Sequence, residues 1–387
     1  MSDTPRGAGE GEPGEGRAGK PAPRGWKPVL RVALGVAISA VALVAVLRKV
    51  DWGLVTGAWH AADVRWLLVA ALIYPWRLAV VAVRWGELLR LYGPVPSFGL
   101  RLRATSIGYL FNNLLPLRSG DVIRGGLAVH EGVSLRAAAT SLVLEKMLDL
   151  WALVAIVLVA GGAFLQAEPA LLRSLHVLAV AAVASLAAFL TVALACSAET
   201  AQRWCDRAAS RPARLAARLA RIIVESGQLC RRPRSLLITL AATAVNWAIE
   251  GSFYLLVAHA LGMPLAGAGA LFLVSVIGLG LTVPTTAGGI GLIQYLVVTV
   301  LKVEGVDVNL AVAYSLLSYA VGFLSVNGVG VGFLIAESLR RRAAASAWDG
   351  SPSAWGGLSS PPSGAPPLGE GGLESDFLES PPHGEGP

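Results

Sequence analysis

Long apolar runs alternate with short polar segments along the chain, and this pattern predicts a bundle of membrane-crossing helices. A helix needs about 20 apolar residues to cross a hydrocarbon layer about 30 Å thick. Eight runs approach this length, at residues 29–47, 66–83, 138–162, 174–195, 236–260, 265–283, 288–301 and 310–337. The sequence therefore predicts an all-α, polytopic integral membrane protein of about eight transmembrane helices, with one or two broken or re-entrant segments.

The composition points the same way. Hydrophobic residues make up 55% of the chain and charged residues 15%, against roughly 25% charged residues in soluble domains. The first apolar run follows a basic stretch, as in a signal peptide, but it is too long for such a peptide and no small-x-small cleavage site follows it. We expect this run to be a retained helix.

Both ends of the chain differ in composition from the middle. Residues 1 to about 25 and 343–387 are rich in Gly, Pro, Ser and acidic residues, with too few apolar residues to form a core. We expect two disordered tails around a transmembrane domain at residues 26–342.

The distribution of arginines predicts the orientation. Nine arginines lie between residues 199 and 234, and three more, at residues 340–342, close the last apolar run. Positive loops face the cytoplasm, so we expect a cytoplasmic (inner) membrane location with both termini inside. The arginines between residues 84 and 103 place that segment inside as a loop, and a re-entrant loop at 104–117 satisfies every charge assignment.

The basic segment near residues 199–234 has a helical period. At 100° per residue, six of its arginines fall in a stripe about 80° wide, which favours a helix lying at the membrane surface against anionic headgroups. These are Arg203, Arg207, Arg211, Arg214, Arg218 and Arg221. Pro212 is expected to break the helix in two.

A solvated basic connector is the alternative to a helix at the membrane surface. We expect no nucleic acid partner, and a homo-oligomer is possible.

One broken segment runs from residue 108 to 124. Pro116 and Gly120 open the helix, and unpaired backbone is tolerated at membrane depth only where protein or a water-filled cavity satisfies it. Arg118 and Arg124 have the planar guanidinium that grips phosphate, with Asp121 as a local partner. The alternative is that these are ordinary loop charges.

A second broken segment runs from residue 278 to 294. Pro284 and Gly288 repeat the spacing of Pro116 and Gly120. Paired, interrupted segments in two halves of a chain point to a transporter-like binding site between them. Gly288 and Gly289 would allow close approach of the backbone. The run at 288–301 is short, so it is a candidate arm of a re-entrant hairpin.

Charged residues inside apolar runs are costly and often functional. Glu145 and Asp149 lie one helical turn apart, and Lys146 is within reach of Asp149. These acids are candidates to contact or orient a headgroup. Arg77 and Glu250 are a possible intramembrane ion pair. Structural pairing between helices is the alternative in each case.

Enzyme signatures are scarce. The sequence has no P-loop, dinucleotide fingerprint, HExxH or GxSxG motif, and its three cysteines have no metal-ligand spacing. We expect no enzyme activity, no cofactor and no metal site. One alternative is a membrane-embedded lipid transferase with Asp121, Glu145 or Asp149 as general base. A second is a non-catalytic scaffold.

Three motifs, in this order, resemble the flippase-like family that contains the transmembrane region of lysylphosphatidylglycerol synthases. They are Asn-Leu-Leu-Pro-Leu-Arg-Ser-Gly-Asp at 113–121, Leu-Glu-Lys-Met-Leu-Asp at 144–149 and Val-Pro-Thr-Thr-Ala-Gly-Gly-Ile-Gly at 283–291. The resemblance implies a helical domain that moves a lipid across the bilayer. Gln294 stands where the family commonly has an acidic residue. The negative charge that would recognise a cationic headgroup is therefore absent at this position. The bifunctional synthases also carry a soluble aminoacyltransferase domain after the membrane part, where this sequence has the expected disordered tail. Synthesis of a lysyl lipid is therefore not expected here.

Together these features predict a protein that binds or translocates a phospholipid or polyprenyl-phosphate glycolipid. The predicted substrate-binding residues are Asn113, Arg118, Asp121, Arg124, Glu145, Asp149, Pro284, Gly288, Gly289 and Gln294.

Overall fold

The computed structural model describes residues 26–48, 50–115, 119–164, 169–196, 198–207, 210–282 and 286–349. Within these ranges all regular structure is helical, as predicted. The helices are α1 (Trp26–Leu47), α2 (Trp52–Ala61), α3 (Val64–Ile73), α4 (Trp76–Leu89), α5 (Phe98–Leu114), α6 (Gly120–His130), α7 (Leu135–Phe164), α8 (Pro169–Ala195), α9 (Ala198–Arg207), α10 (Arg211–Ser226), α11 (Pro233–Ala260), α12 (Gly267–Gly280), α13 (Leu292–Val303) and α14 (Val308–Asp349). Two short 3₁₀ turns, Gly227–Leu229 and Ala287–Gly289, accompany them.

Several helical stretches are long and apolar enough to cross a membrane, which confirms the predicted fold class. Among the described residues three qualify outright, Val64–Leu89, Pro233–Ala260 and Val308–Arg340. The bent pair Ala33–Leu47 and Trp52–Ala61, with an angle of 86° between its arms, adds a fourth if counted as one span. The protein is a multi-pass helical membrane protein.

Two of the predicted crossings are short helices, as the sequence suggested for the run at 288–301 but not for the run at 265–283. Helices α12 and α13 have 14 and 12 residues, or about 21 and 18 Å at 1.5 Å per residue, so neither crosses a 30 Å layer alone. They pack against each other across the break at residues 281–291. The second broken segment is therefore the tip of a helical hairpin.

The first broken segment has the same form. Residues 104–114 were expected in a re-entrant loop, but they are helical and end α5, which packs against α6. The two helices approach closely at their glycines. A Cβ atom at Gly120 would overlap the backbone oxygen of Gly108 and lie 2.6 Å from the backbone nitrogen of Asn112. Only glycine permits this packing.

The expected loop at 84–103 is also partly helical. Helix α4 continues to Leu89, so Arg84 is a helical residue, and its side chain is buried. Pro75 interrupts the preceding span, because it separates α3 from α4 and has no backbone N–H to continue the hydrogen-bond ladder. The prediction of Arg84 as a cytoplasmic loop charge is wrong.

The basic segment forms two helices, α9 and α10, with the break near Pro212 that the sequence predicts. The side chain of Ser210 caps α10 by accepting a hydrogen bond from the backbone N–H of Ala213 at 3.3 Å. Arg203, Arg207 and Arg214 are exposed.

The chain up to Ile335 is one compact unit, and residues 336–349, the described part of a second unit, are helical. The main core lies where α3, α4, α11, α12, α13 and α14 meet. Its aromatic centre includes Phe253, which stacks on Tyr74 with 4.2 Å between ring centroids. The hydroxyl of Tyr314 donates to the backbone oxygen of Tyr254 at 2.8 Å. The wall of this core that faces the two hairpins carries the polar residues described next.

Candidate functional site

A cavity of about 630 Å³ lies between the two helical hairpins, the start of α4 and the central parts of α7, α11 and α14. Its lining is mixed. Charged and amide side chains stand beside aromatic residues and beside aliphatic residues such as Leu150, Leu153 and Val326. The cavity surface therefore places a few polar groups among apolar and aromatic ones, as sites that bind one small ligand do.

The tips of both hairpins contribute to this cavity and meet there. The side-chain amide of Asn113, at the end of α5, donates to the side-chain oxygen of Asn327 on α14 at 2.9 Å. Gly288, in the second tip, has a φ of 66°. A Cβ atom there would lie 2.5 Å from the Tyr319 hydroxyl and 3.2 Å from the Asn113 backbone oxygen. Glycine at this position allows the two tips to touch.

One ion pair lies in the wall formed by α4 and α11. Arg77 and Glu250 are 2.6 Å apart and only 10% and 12% exposed. The Tyr74 hydroxyl accepts from Arg77 and donates to Glu250, both at 2.8 Å. The Arg77 guanidinium also lies 5.3 Å from the ring centroid of Tyr109. The break at Pro75 places Tyr74 and Arg77 on this wall, and the ion pair suggested by the sequence is present.

A second ion pair joins α6 to α7. Lys146 Nζ lies 3.3 Å from a carboxylate oxygen of Asp121, with side chains 46% and 24% exposed. The Asn112 amide donates to the other Asp121 oxygen at 3.3 Å. Lys146 therefore pairs with Asp121 and not with Asp149, the partner considered from sequence.

Behind this pair lies a buried network of two arginines and two acids. Arg124 forms two hydrogen bonds to Glu145, at 2.8 and 3.1 Å, and Arg84 forms two to Asp149, at 2.6 and 3.1 Å. Arg84 also lies 3.5 Å from Glu145. The Arg124 guanidinium stacks on the ring of Trp85 at 4.1 Å. In this arrangement each buried charge has an opposite charge beside it. Such pairing is needed because an unpaired charge in the interior is strongly destabilising.

Some buried polar atoms of lining residues have no hydrogen-bond partner within the described ranges. They are Arg77 Nε, Asn112 Oδ1, Asn246 Oδ1, Trp247 Nε1 and Tyr319 Oη. An unsatisfied buried polar group costs about 1–3 kcal/mol, so such a cluster in one cavity is a signal for a polar ligand.

The structure brings together half of the predicted site residues. Asn113, Asp121, Asp149, Gly288 and Gly289 line the cavity. Arg118 and Pro284 lie outside the described residues.

Three predicted site residues have other contacts. Arg124 and Glu145 do not line the cavity, because they are buried against each other. Gln294 is buried in α13, and its side-chain oxygen accepts from the backbone N–H of Gly291 at 2.6 Å. Arg124 and Gln294 therefore have partners within the protein, and neither is among the residues that line the cavity.

Sequence reasoning missed most of the aromatic and amide lining. The residues concerned are Tyr74, Tyr109, Asn246, Trp247 and Tyr319. Asn246 and Glu250 were one available signal, since polar residues four apart within an apolar run share a helix face. The aromatic residues carried no signal, because they are frequent in any membrane core.

Two comparisons with known proteins gave different results. The search of curated proteins found no match, whereas one family model matches. The family model described as "Lysylphosphatidylglycerol synthase TM region" matches residues 32–330, which include both hairpins and the whole cavity lining. The chain therefore belongs to the family of the lysylphosphatidylglycerol synthase transmembrane region.

Proposed function

We propose that the protein binds the headgroup of a lipid in this cavity and translocates the lipid across the membrane. The lipid would be a phospholipid or a polyprenyl-phosphate glycolipid. One observation carries the proposal. The cavity combines ion pairs and unpartnered polar atoms with an apolar and aromatic surround, at the meeting point of two interrupted helical hairpins.

The size and chemistry of the cavity support a headgroup as the ligand. About 630 Å³ lies within the roughly 300–1,000 Å³ of small-molecule sites. A headgroup fits such a volume while its acyl or prenyl chains stay in the surrounding bilayer. Polar groups are costly in hydrocarbon, so a polar cavity inside an apolar bundle lowers the barrier that a headgroup meets on its way across.

The paired hairpins also support translocation. In many transporters, interrupted helices from two halves of the chain meet at the substrate site, and one half moves against the other. Here the tips of α5–α6 and α12–α13 contact each other at Asn113 and Gly288. A modest separation of these tips would widen the cavity.

The same proposal includes the surroundings of the protein. We assign it to the cytoplasmic membrane with both termini inside, from the arginine distribution, and place anionic lipid headgroups against α9 and α10, where Arg203, Arg207 and Arg214 are exposed. In a background with Cys196, Cys205 and Cys230 replaced by Ser, a membrane-impermeant maleimide is expected to label an Arg207→Cys variant only after intact cells are permeabilised. Labelling from the outer face of intact cells would contradict it.

The direct test is translocation in proteoliposomes. Vesicles would contain the purified full chain and a phospholipid labelled with a fluorophore on one acyl chain, and an impermeant reductant would bleach the outer leaflet. Wild type is expected to expose the inner pool to the reductant. Leu150→Trp is expected to slow this exposure, because Leu150 lines the cavity and the larger indole narrows it.

Leu135→Trp is the matched control, since Leu135 is exposed on the same helix but does not line the cavity. It should retain wild-type activity. Equal activity of both variants, or no protein-dependent bleaching with any lipid, would contradict the proposal. Lipid recovered with a changed mass after incubation with a glycosyl or aminoacyl donor would favour the transferase alternative.

A further inference from the structure

The charges of the described lining residues are balanced in pairs. Arg77 faces Glu250, Lys146 faces Asp121, and Asp149 is held by Arg84, which lies directly behind the wall. An incoming charge must therefore displace an existing partner or stay unpaired. An unpaired charge at membrane depth is costly.

The three pairs differ in how easily they open. The Arg77–Glu250 pair is bridged by Tyr74 and is almost fully buried, and Asp149 receives two hydrogen bonds from Arg84. The Lys146–Asp121 pair has one contact, at 3.3 Å, between side chains that are 46% and 24% exposed. Partly hydrated ion pairs with a single contact contribute little to stability. Lys146 and Asp121 are thus the charges that a ligand can separate at lowest cost.

From this pair we infer the class of headgroup, an inference that rests on the proposed function. The geometry points to a zwitterionic headgroup that carries a phosphate and a primary ammonium. The phosphate takes the place of Asp121 beside Lys146, and the ammonium takes the place of Lys146 beside Asp121. Both protein charges keep an opposite partner, and the buried charge of the cavity does not change.

Other headgroups break this balance. A headgroup whose single charge is a phosphate would satisfy Lys146 but leave Asp121 beside an anion, with the Asn112 amide as its remaining partner among the described residues. A headgroup with a single positive charge would leave Lys146 exposed to it. An uncharged sugar would have to hydrogen-bond around an ion pair that stays closed. A like-charge contact disfavours these headgroups, and the effect grows as the bound headgroup displaces water from the pair.

The test is lipid competition on the purified full chain, read by native mass spectrometry. The probes are phosphatidylethanolamine, phosphatidylglycerol and a monoglycosyl diacylglycerol with identical acyl chains, in equal amounts. Wild type is expected to retain phosphatidylethanolamine about tenfold over phosphatidylglycerol, a difference of about 1.4 kcal/mol. Asp121→Asn removes the ammonium partner and leaves Lys146 in place. It is expected to remove this preference or reverse it in favour of phosphatidylglycerol.

Two further variants define the outcome. Lys146→Met is expected to reduce the retention of phosphatidylglycerol more than that of phosphatidylethanolamine, because Asp121 then faces the phosphate without a neighbouring lysine. Glu131→Gln is the control, since Glu131 pairs with Arg103 and does not line the cavity. It should keep the wild-type ratio. Asp121 is partly exposed, so its amide variant should fold, and size-exclusion chromatography checks this.

The failures of the two proposals are distinguishable. If wild type retains phosphatidylglycerol over phosphatidylethanolamine, or if Asp121→Asn leaves the ratio unchanged, the headgroup inference is overturned while lipid binding stands. If no lipid is retained by any variant and proteoliposomes show no translocation, the proposed function itself is lost.

Discussion

Glu145 is the most enclosed charge in the molecule's buried network. Its side chain has no exposed surface, and its carboxylate faces two guanidinium groups, from Arg124 at 2.8 Å and from Arg84 at 3.5 Å. Asp149 differs, because it is partly exposed and contacts Arg84 alone among the arginines described. One acid therefore fastens α4 and α6 to α7, while the other also faces the cavity.

We expect Glu145→Gln to be the more damaging of two matched substitutions. Removing one member of a buried pair leaves the other unpaired and costs about 3–5 kcal/mol, and here Arg124 keeps no other acid within reach among the described residues. Asp149→Asn leaves Arg84 beside Glu145 and should cost less. Thermal unfolding of the detergent-solubilised protein measures both. Equal losses would show that Glu145 does not hold these helices together.

These charges show how far residue-level prediction extends. Their positions inside apolar runs marked Glu145, Asp149, Arg77 and Glu250 as important from sequence alone, because burial of a charge is costly wherever it occurs. The Arg77–Glu250 pair was suggested from sequence and is present, but the partners of Glu145 and Asp149 could not be assigned. Arg84 to Asp149 spans 65 residues, and no local spacing encodes such a contact. Arg124 was consequently read as a phosphate ligand.

At the scale of elements, the two hairpins share a design in which small residues set the distance between helices. Gly120 and Gly108 bring α6 onto α5, and Gly280 of α12 faces Leu296 of α13. In the membrane, helix association depends on close packing because lipid already solvates apolar side chains. Glycine at the contact is thus a structural requirement of the first hairpin.

We expect Gly120→Ala to destabilise the protein, because the new methyl group would overlap backbone atoms of Gly108 and Asn112 that cannot rotate away. Overpacking of this kind costs about 1–3 kcal/mol or more. Gly126→Ala, on the exposed face of the same helix with open space around it, is the control and should stabilise α6 by about 0.5–1 kcal/mol. Unfolding temperatures of both variants measure the effect. A neutral Gly120→Ala would mean that α5 and α6 are further apart.

Helix breaks were the element-scale feature that sequence predicted well. Gly120 and Gly288 lie at the two hairpin tips, and Pro212 lies at the start of α10, as expected of residues that act locally on the backbone. Pro116 and Pro284 lie outside the described residues. The extent of the arms was less predictable. Arginines at 84, 101 and 103 suggested loop, yet they lie in α4 and α5, since pairing and partial burial compensate for charge within a helix.

At the scale of the whole molecule, α14 connects the two hairpin tips. Asn327 bonds Asn113 of the first tip, and Tyr319 lies against Gly288 of the second. Helix α1 supports the second tip from its other side, where Ser39 accepts from the backbone N–H of Thr286 at 3.3 Å. The two tips are therefore joined through α14, and a movement of one tip against the other requires that some of these contacts separate.

The Asn113–Asn327 contact is the place to test that requirement. In a background with Cys196, Cys205 and Cys230 replaced by Ser, Asn113→Cys and Asn327→Cys would be joined by a short bis-methanethiosulfonate. The cross-link is expected to stop lipid translocation in the proteoliposome assay, and reduction should restore it, because tips that cannot separate cannot admit or release a headgroup. Each single-cysteine variant, treated identically, should stay active. Full translocation by the cross-linked protein would show that the headgroup passes without separation of the first tip from α14.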